Sequence, residues 1–230
     1  MIVLAFDTAQ GALSAAIHDG EGVLASAFEL RARGHAEELL PMIETVLAES
    51  ALGFGDLDAL AVTIGPGTFT GLRVGLAAAR GIALAQGLPL VGITTLEAVA
   101  GDVAAEPDEA IVAAFDARRG EIYLQAFDAA LVPLTEPMLV AVAEASRHLP
   151  PHRKLLLVGT GATLLDEALH GFVRRLADAP AQPRAETVAW LAGRRLEAEG
   201  HEAFRRAPAP LYIRAPDAKL PGGRDPDAAA

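Results

Sequence analysis

The chain of 230 residues contains no cysteine, and this absence removes two classes of chemistry. Disulfide bonds and thiol-based catalysis are excluded, and we expect a cytosolic protein from such a composition. Basic residues are also scarce, because 19 Lys and Arg oppose 30 Asp and Glu, for a formal net charge of −11. Binding of nucleic acid requires a basic face that neutralises phosphates, so the charge argues against unaided nucleic-acid binding.

Long hydrophobic runs are missing as well. No stretch reaches the roughly eighteen consecutive apolar residues of a transmembrane helix, so we expect no membrane span. Aromatic residues make up only 5% of the chain whereas hydrophobic residues make up 52%. The core must therefore be built mainly from aliphatic side chains and alanine. A chain of this length can form one large domain or two small ones.

The most distinctive stretch of the sequence is a glycine-dense run, Gly65-Pro-Gly-Thr-Phe-Thr-Gly-Leu-Arg-Val-Gly75. It follows an apolar alternating segment at 58–64 and leads into a helical pattern at 70–86, so a strand ends on a glycine turn that feeds a helix. The free N–H groups of such a helix start attract anions. No Lys-Ser/Thr pair follows the glycines, and the spacing is not that of a dinucleotide-binding fingerprint, so neither nucleotide motif is present.

The helix predicted at 70–86 carries small residues every four positions, at Gly71, Gly75, Ala79 and Ala83, which places them on one stripe of its surface. Interior glycines destabilise a helix by roughly 1 kcal/mol each, so we expect a compensating close approach by another helix or a sheet. The remaining circumference is largely apolar, which indicates a helix buried on nearly all sides, within the chain or against a partner.

The first half of the chain predicts the order β-β-β-α-β-α-β, which gives a mixed sheet covered by helices. The predicted strands are 2–7, 12–18, 23–30, 58–64 and 89–93, and the predicted helices are 35–49 and 70–86. Pro41 lies in the first helix, where we expect a kink or a helix start only a few residues earlier.

The second half repeats the beginning with an offset of 109 residues. The segment 2–11 aligns without gaps on 111–120, and the aspartates Asp7 and Asp116 coincide. We expect further strands at 121–128 and 154–159, helices at 139–149, from about 163, and at 185–199, and a short segment near 131–134. Two tandem copies of one unit predict a bilobed molecule with a cleft between the copies.

Five motifs occur along the chain in a fixed order: Leu4-Ala-Phe-Asp7-Thr, His35-Ala-Glu-Glu-Leu-Leu-Pro41, the glycine run 65–75, Asp116-Ala-Arg-Arg-Gly-Glu-Ile-Tyr123 and Leu211-Tyr-Ile-Arg214. Together they resemble the TsaB family, formerly called YeaZ. The resemblance covers residues 1 to about 217. It implies an α/β fold of two tandem ribonuclease H-like, actin-like subdomains, at 1–105 and 106–217, followed by a disordered tail at 218–230. The helix at 185–199 is expected to belong to the second subdomain or to pack back on the first.

The resemblance also implies a function. The TsaB family belongs to the machinery that places a threonylcarbamoyl group on N6 of the adenosine beside the anticodon in tRNAs that read ANN codons. It implies a non-catalytic scaffold subunit in the cytoplasm that binds and activates the catalytic paralogue TsaD, with the ATPase TsaE as a further partner. tRNA is contacted only through the complex, and a homodimer forms when the partner is absent.

By the same resemblance, the partner interface lies on the two helices at 36–48 and 70–86. Its predicted residues are Leu39, Leu40, Ile43, Val46, Leu47, Phe69, Gly71, Leu72, Gly75, Leu76, Ala79 and Ala83. A bulky residue at Gly75 is then expected to separate the partner helices. Candidate cleft or partner contacts are Asp7, Arg73, Arg80, Arg118 and Glu121. The implied cofactor state is none tightly bound, with ATP or ADP at a site shared with the partner.

An active site of the chain's own is not expected. The phosphate-binding turns of an actin-like ATPase are glycine-rich, but Ala9-Gln10 and Arg118-Arg119 occupy the corresponding positions here. His35 is alone at the helix where catalytic paralogues carry two histidines, and the other five histidines are expected on the surface, so no metal site is predicted. Two alternatives remain: a stand-alone actin-like ATPase, and a homodimeric module that binds a nucleotide or another anion at the turn 65–70.

Overall fold

The computed structural model describes residues 1–214, which form two five-stranded sheets flanked by helices. The first sheet has the strand order β3-β2-β1-β4-β5. Its strands are β1 (Val3–Asp7), β2 (Ala12–His18), β3 (Val23–Leu30), β4 (Ala59–Thr63) and β5 (Leu90–Ile93). β1 pairs antiparallel with β2, with Val3 opposite His18, and parallel with β4, with Val3 opposite Ala59. Every residue of β1, β2 and β4 is buried, as expected for strands covered on both faces.

The second sheet has the order β10-β9-β6-β7-β8. Its strands are β6 (Glu109–Arg118), β7 (Glu121–Phe127), β8 (Met138–Ala141), β9 (Lys154–Val158) and β10 (Arg174–Leu176). β6 pairs antiparallel with β7 and parallel with β9, as β1 does with β2 and β4. The order β8-β7-β6-β9-β10 therefore repeats the topology of the first sheet, which confirms the predicted duplicated α/β fold.

Within residues 1–214, five α-helices cover the sheets: α1 (His35–Glu49), α2 (Phe69–Gln86), α3 (Thr95–Gly101), α4 (Ala162–Ala168) and α5 (Ala185–Glu199). α1 and α2 share one core with the first sheet, and α5 packs on the opposite face of that sheet. α3 packs against the second sheet through Leu96, Val99 and Ala100, and α4 lies on its other face. We call β1–β5 with α1, α2 and α5 the first lobe, and β6–β10 with α3 and α4 the second lobe.

Two sequence predictions in the second lobe were wrong or incomplete. The segment 139–149 is not an α-helix, because it begins with β8 and continues as a 3-10 helix, Val142–His148. Leu139 pairs with Tyr123 of β7, so pairing at the open edge of the sheet outweighs helix propensity there. Helix α3 and strand β10 were not predicted. Both are short, at 7 and 3 residues, and too brief for a clear period.

Pro41 lies inside α1, six residues after the helix begins, so a full turn of helix precedes it. Its missing N–H leaves the carbonyl of Glu37 without the usual helical donor. The carbonyl of Pro41 itself accepts the Thr45 hydroxyl at 2.9 Å. The domain limits 105/106 and 217/218 stay predictions, and the predicted tail at 218–230 lies outside the described residues.

Candidate functional site

The glycine run docks α2 onto the first strand of the chain. A Cβ atom built on Gly71 would lie 2.0 Å from the carbonyl oxygen of Thr8, and one on Gly75 would lie 2.5 Å from the Thr8 hydroxyl oxygen. The Thr8 hydroxyl donates to the carbonyl of Gly71 at 2.7 Å, in the space that a side chain would fill. The small residues at these two positions therefore permit close approach within the chain, to the end of β1, and not to a partner helix.

This packing corrects the predicted partner interface. Nine of its twelve residues are buried inside the first lobe and have no surface left for a partner. They are Leu39, Ile43, Val46, Leu47, Gly71, Leu72, Gly75, Leu76 and Ala79. The periodicity of both helices was identified correctly, but the stripe assigned to the partner is the one that packs on the chain's own sheet. Of the predicted set, Leu40 and Phe69 are exposed and Ala83 is half-buried.

A different stripe of α2 faces outward. We call it the outer α2 face; it consists of Phe69, Arg73, Ala77, Arg80, Gly81 and Leu84, all exposed. Leu84 is 86% exposed and Phe69 41% exposed, and Leu40 of the neighbouring helix α1 is 51% exposed. A single exposed leucine is ordinary, whereas several exposed apolar side chains on one helix face form a patch that can bind a partner. The outer α2 face and Leu40 thus offer apolar surface on the two helices that the resemblance singles out.

Both arginines of the outer α2 face have partners within the chain. The guanidinium of Arg73 lies 3.6 Å from the centroid of the Phe69 ring. Such stacking orients the charge over the ring and restrains both side chains. Arg80 donates to the carbonyl oxygen of Pro208 at 2.6 Å. Neither arginine lies deep in the cleft, although Phe69 reaches its rim.

Between the lobes lies a cleft of about 690 Å³. Its lining residues are Gln10, Gly11, Ala32, Gly67, Thr68, Phe69, Asp116, Ala117, Arg118, Tyr123, Thr160, Gln182, Tyr212 and Arg214. Of the residues predicted as cleft or partner contacts, Arg118 alone lines this cleft. Gln182, Tyr123, Tyr212 and Arg214 were not predicted as cleft residues. Tyr123, Tyr212 and Arg214 belong to motifs quoted for the family resemblance, whereas Gln182 carries no sequence signal.

Asp7, at the first turn, is buried completely and does not line the cleft. Its Oδ1 accepts the Thr63 hydroxyl at 2.5 Å and the backbone N–H of Ala9 at 3.1 Å, while its Oδ2 has no hydrogen-bond partner. Burial raises the pKa of Asp7 to about 7, and the hydrogen bonds oppose this shift only in part. The Asp7 carboxyl group therefore stabilises the first turn through buried hydrogen bonds to Thr63 and Ala9.

The rest of the first turn is likewise closed on itself. The side-chain amide of Gln10 donates to the carbonyl of Pro66 at 3.0 Å. The carbonyl of Ala9 accepts the N–H of Thr68 at 2.8 Å, and the Thr68 hydroxyl caps α2 by accepting the N–H of Gly71 at 3.2 Å. Two donors at the start of α2 are therefore used within the chain. Their use weakens the alternative of an anion site at the turn 65–70.

The second turn is also satisfied internally. Asp116 accepts the N–H of Arg118 at 2.7 Å and its guanidinium at 3.2 Å. Arg118 and Arg119 both have positive φ angles, 66° and 59°, which side-chain-bearing residues seldom adopt. The loop 159–161 lies against β6, where Gly161 donates to Ala114 and the Thr160 hydroxyl accepts the N–H of Asp116.

Glu121 directly follows the second turn, and its carboxylate pairs with Arg214. Arg118 lies opposite Glu121 in the β6–β7 register, but its guanidinium pairs with Asp116 and its side chain is 85% exposed. Of these two residues, Arg118 lines the cleft.

Histidines and carboxylates do not gather into a metal site: within residues 1–214 no three of them come close enough to hold an ion. His35 instead contacts the carbonyl of Ala12 at 3.2 Å. His18 is buried, contrary to the predicted surface position, and its Nδ1 accepts the N–H of Gly20 at 2.9 Å.

None of the helices within residues 1–214 has the length and apolar character needed to cross a bilayer.

Comparison with known proteins identifies the family. The family model for TsaD, tRNA N6-adenosine threonylcarbamoyltransferase, matches residues 27–221, well over half of the chain. The chain belongs to this family. Within it, the similarity is to the TsaB/YeaZ members: the Escherichia coli protein named "tRNA threonylcarbamoyladenosine biosynthesis protein TsaB" is 41% identical over 124 residues, 54% of this chain and 53% of that protein. The chain thus spans about half the length of the curated relatives it matches.

Solved structures agree over nearly the whole chain. YeaZ from Pseudomonas aeruginosa superposes with a TM-score of 0.78 at 27% identity, covering 92% of this chain and 99% of that one. A second structure from the same organism, described as similar to the peptidase YeaZ, gives 0.81 at 27% identity and covers 93% and 99%. The fold and family expected from the five motifs are confirmed.

Proposed function

We propose that this protein is a non-catalytic subunit of the assembly that transfers a threonylcarbamoyl group to N6 of adenosine beside the anticodon in tRNAs reading ANN codons. The name of the E. coli relative and the family model support a role in this pathway. Its part in the pathway is to bind the catalytic paralogue TsaD and to stabilise the active arrangement of that enzyme.

One contrast in the molecule carries the proposal. The cleft, where actin-like enzymes do their chemistry, is bordered by two turns whose polar groups bond one another, through Asp7 in the first lobe and Asp116 in the second. The outer α2 face, in contrast, exposes the apolar side chains of Phe69 and Leu84 beside its two arginines. Two turns engaged in internal hydrogen bonds, beside a helix face with exposed apolar side chains, support a scaffold role over a catalytic one.

The outer α2 face and Leu40 supply the contact with TsaD in this proposal. Leu84, at the C-terminal end of this face, is the most exposed of its large apolar side chains. Two helices facing two helices of a related partner can bury the roughly 1,600 Å² of a standard specific interface. An apolar patch of this kind also favours self-association, so the protein forms a homodimer when TsaD is absent.

The remaining partners follow from the same assembly. The net charge of −11 makes direct tRNA binding unfavourable, so tRNA is bound through the complex. TsaE joins the pair of TsaB-like and TsaD subunits. We place ATP or ADP, where it binds, at a surface shared with TsaD, and the assembly in the cytoplasm.

Leu84→Glu tests the proposed contact. A buried carboxylate without a partner is costly, so affinity for TsaD should fall about a hundredfold by calorimetry, and the homodimer should dissociate in sedimentation experiments. Val173→Glu is the matched control, because Val173 is a 67% exposed apolar residue of the second lobe. Unchanged TsaD affinity in the Leu84 variant, or equal loss in both variants, would contradict the proposed surface.

Depletion of the protein tests the pathway itself. Nucleoside analysis of bulk tRNA should then show loss of threonylcarbamoyladenosine, restored by the wild-type gene and by the Val173→Glu variant but not by Leu84→Glu. Persistence of the modified nucleoside after depletion would overturn the assignment.

The interlobe cleft of about 690 Å³ favours one second candidate, a nucleotide-binding module without TsaD. Its volume lies in the range of small-ligand pockets. Equilibrium dialysis of the isolated protein against ATP and ADP decides this question, and a hydrolysis assay on the same sample decides whether it is a weak ATPase. Binding only in the presence of TsaD would favour the shared site.

A further inference from the structure

The chain's C-terminal described segment, residues 205–214, runs without regular secondary structure from the first lobe to the second. We call it the strap. It follows α5 and a short 3-10 helix, His201–Phe204, which pack on the first lobe. Its last four residues are the motif Leu211-Tyr-Ile-Arg214.

On the first lobe the strap is fixed by backbone contacts. The N–H of Leu211 donates to the carbonyl of Ile64, just beyond the end of the inner strand β4, at 2.7 Å. A Cβ atom on Gly65 would lie 2.7 Å from the carbonyl oxygen of Leu211, so the strap lies directly on the glycine run. Arg80 of α2 holds the carbonyl of Pro208 at 2.6 Å.

At the rim of the cleft the strap joins the outer α2 face. The rings of Tyr212 and Phe69 lie 5.5 Å apart between centroids, and the Nε of Arg73 donates to the Tyr212 hydroxyl at 3.4 Å. The guanidinium of Arg73 also stacks on Phe69, so three side chains form one cluster. The cluster ties the position of the strap to the orientation of the two α2 residues.

On the second lobe the strap ends in one charged contact. Arg214 donates to the carbonyl of Ala117 at 2.7 Å and pairs with the carboxylate of Glu121. Its side chain is only 23% exposed and its guanidinium lies 6.0 Å from the centroid of the Tyr123 ring. A charge-assisted, doubly bonded arginine is among the stronger single contacts that an otherwise irregular segment can make.

We propose that the strap is an intramolecular latch that holds the two lobes at one angle across the cleft, with Arg214 as its closing contact. Tyr212 and Arg214 line the cleft, and within residues 205–214 the strap contacts the first lobe through Pro208 and Leu211 and the second lobe through Arg214. The chain crosses between the lobes twice more, after β5 and before α5, and such crossings permit hinge motion. The lobes also touch through α3 and α5, where Arg195 pairs with Glu97, so release of Arg214 lets the cleft widen about that contact while the lobes stay joined there.

The latch is a property of the isolated chain and does not depend on the proposed function. One consequence does rest on that function: because the strap contacts Phe69 and Arg73, docking of TsaD on the outer α2 face and closure of the latch are thermodynamically linked. A partner that binds the closed form better must itself be bound more weakly once the latch is broken.

Spin-label distance measurements on the whole chain test the latch. The absence of cysteine means that Glu49→Cys on α1 and Ser146→Cys in the second lobe are the only label sites, and both positions are exposed. Arg214→Ala should raise the population of longer interlobe distances about tenfold, the shift expected for loss of about 1.4 kcal/mol. Glu121→Ala should produce the same distribution from the other side of the contact.

Arg205→Ala is the matched control, because Arg205 begins the strap and pairs locally with Glu202 at 3.1 Å. Its distance distribution should superpose on that of the parent. Parent-like distributions in both the Arg214 and the Glu121 variants would overturn the latch, as would equal broadening in the control. TsaD affinity is measured separately on unlabelled protein, so loss of the partner would not affect this outcome.

Discussion

The two lobes have the same strand order but very different helices. On the first sheet, α1 and α2 have 15 and 18 residues. On the corresponding face of the second sheet, the chain forms a 3-10 helix of 7 residues and α4, also of 7 residues. The outer α2 face runs along the whole of the longer helix, from Phe69 to Leu84, and the shorter helices of the second lobe offer no stripe of that length. The partner surface is therefore proposed in the first lobe.

The aspartates at equivalent positions of the repeat, Asp7 and Asp116, also differ in their exposure. Asp7 is sealed beneath the docked end of α2, whereas Asp116 remains 27% exposed at the cleft beside Arg118. Docking of the long helix onto Thr8 thus makes the first turn part of the core, whereas the second turn stays at the cleft.

The largest effect is expected from Gly71→Ala. Its Cβ would meet the backbone carbonyl oxygen of Thr8 at 2.0 Å, and backbone cannot move aside cheaply, so unfolding free energy should fall by roughly 3 kcal/mol or more. Gly193→Ala in α5 is the control, because its Cβ has no neighbour closer than 3.9 Å and alanine favours a helix. Chemical denaturation measures both; an undiminished stability in the Gly71 variant would contradict the docking of α2 on β1.

A smaller effect, dependent on pH, is expected from Asp7→Asn. The pKa of Asp7 is about 7 in the folded chain against 3.8 for the free side chain, so the folded state binds more protons between these values. The stability of the wild-type protein should therefore fall as pH rises from about 4 to about 7, by no more than about 4 kcal/mol for this group. Asparagine keeps the acceptor for Thr63 and should abolish that part of the decline.

Asp102→Asn provides the comparison in the second lobe. Burial raises the pKa of Asp102 to about 6, so its contribution to the decline should end about one pH unit lower. Denaturation midpoints of the wild type and both variants, measured at several pH values, separate the contributions of Asp7 and Asp102. A wild-type stability that rises between pH 4 and pH 7, with the Asp7→Asn curve parallel to it, would show that Asp7 is ionised within the core.

The strands, the duplication and the long helices could be predicted from the sequence, because alternation and helical period are local properties. The stripe 71/75/79 was recognised, but periodicity does not say which neighbour a stripe contacts, so its burial against Thr8 was missed. The segment 139–149 was misassigned because pairing with Tyr123 is a long-range contact. The strap escaped prediction for a related reason: irregular chain has no period, and the contact of Arg214 with Glu121 joins residues far apart in sequence.

The smallest effect, and the sharpest for the comparison of the lobes, is expected from Gly81→Ala on the outer α2 face. A Cβ atom there meets nothing within 4 Å, so the isolated chain should gain up to about 1 kcal/mol from the better helix former. A partner helix that packs closely on α2 would meet the added methyl group, and TsaD affinity should fall about fivefold, or about 1 kcal/mol. A gain in stability by denaturation together with a loss of TsaD affinity by calorimetry would show that Gly81 is small because a partner packs on it, as Gly71 is small because Thr8 packs on it. A stability gain with unchanged affinity would instead move the contact toward Leu40 and the α1 side of the first lobe.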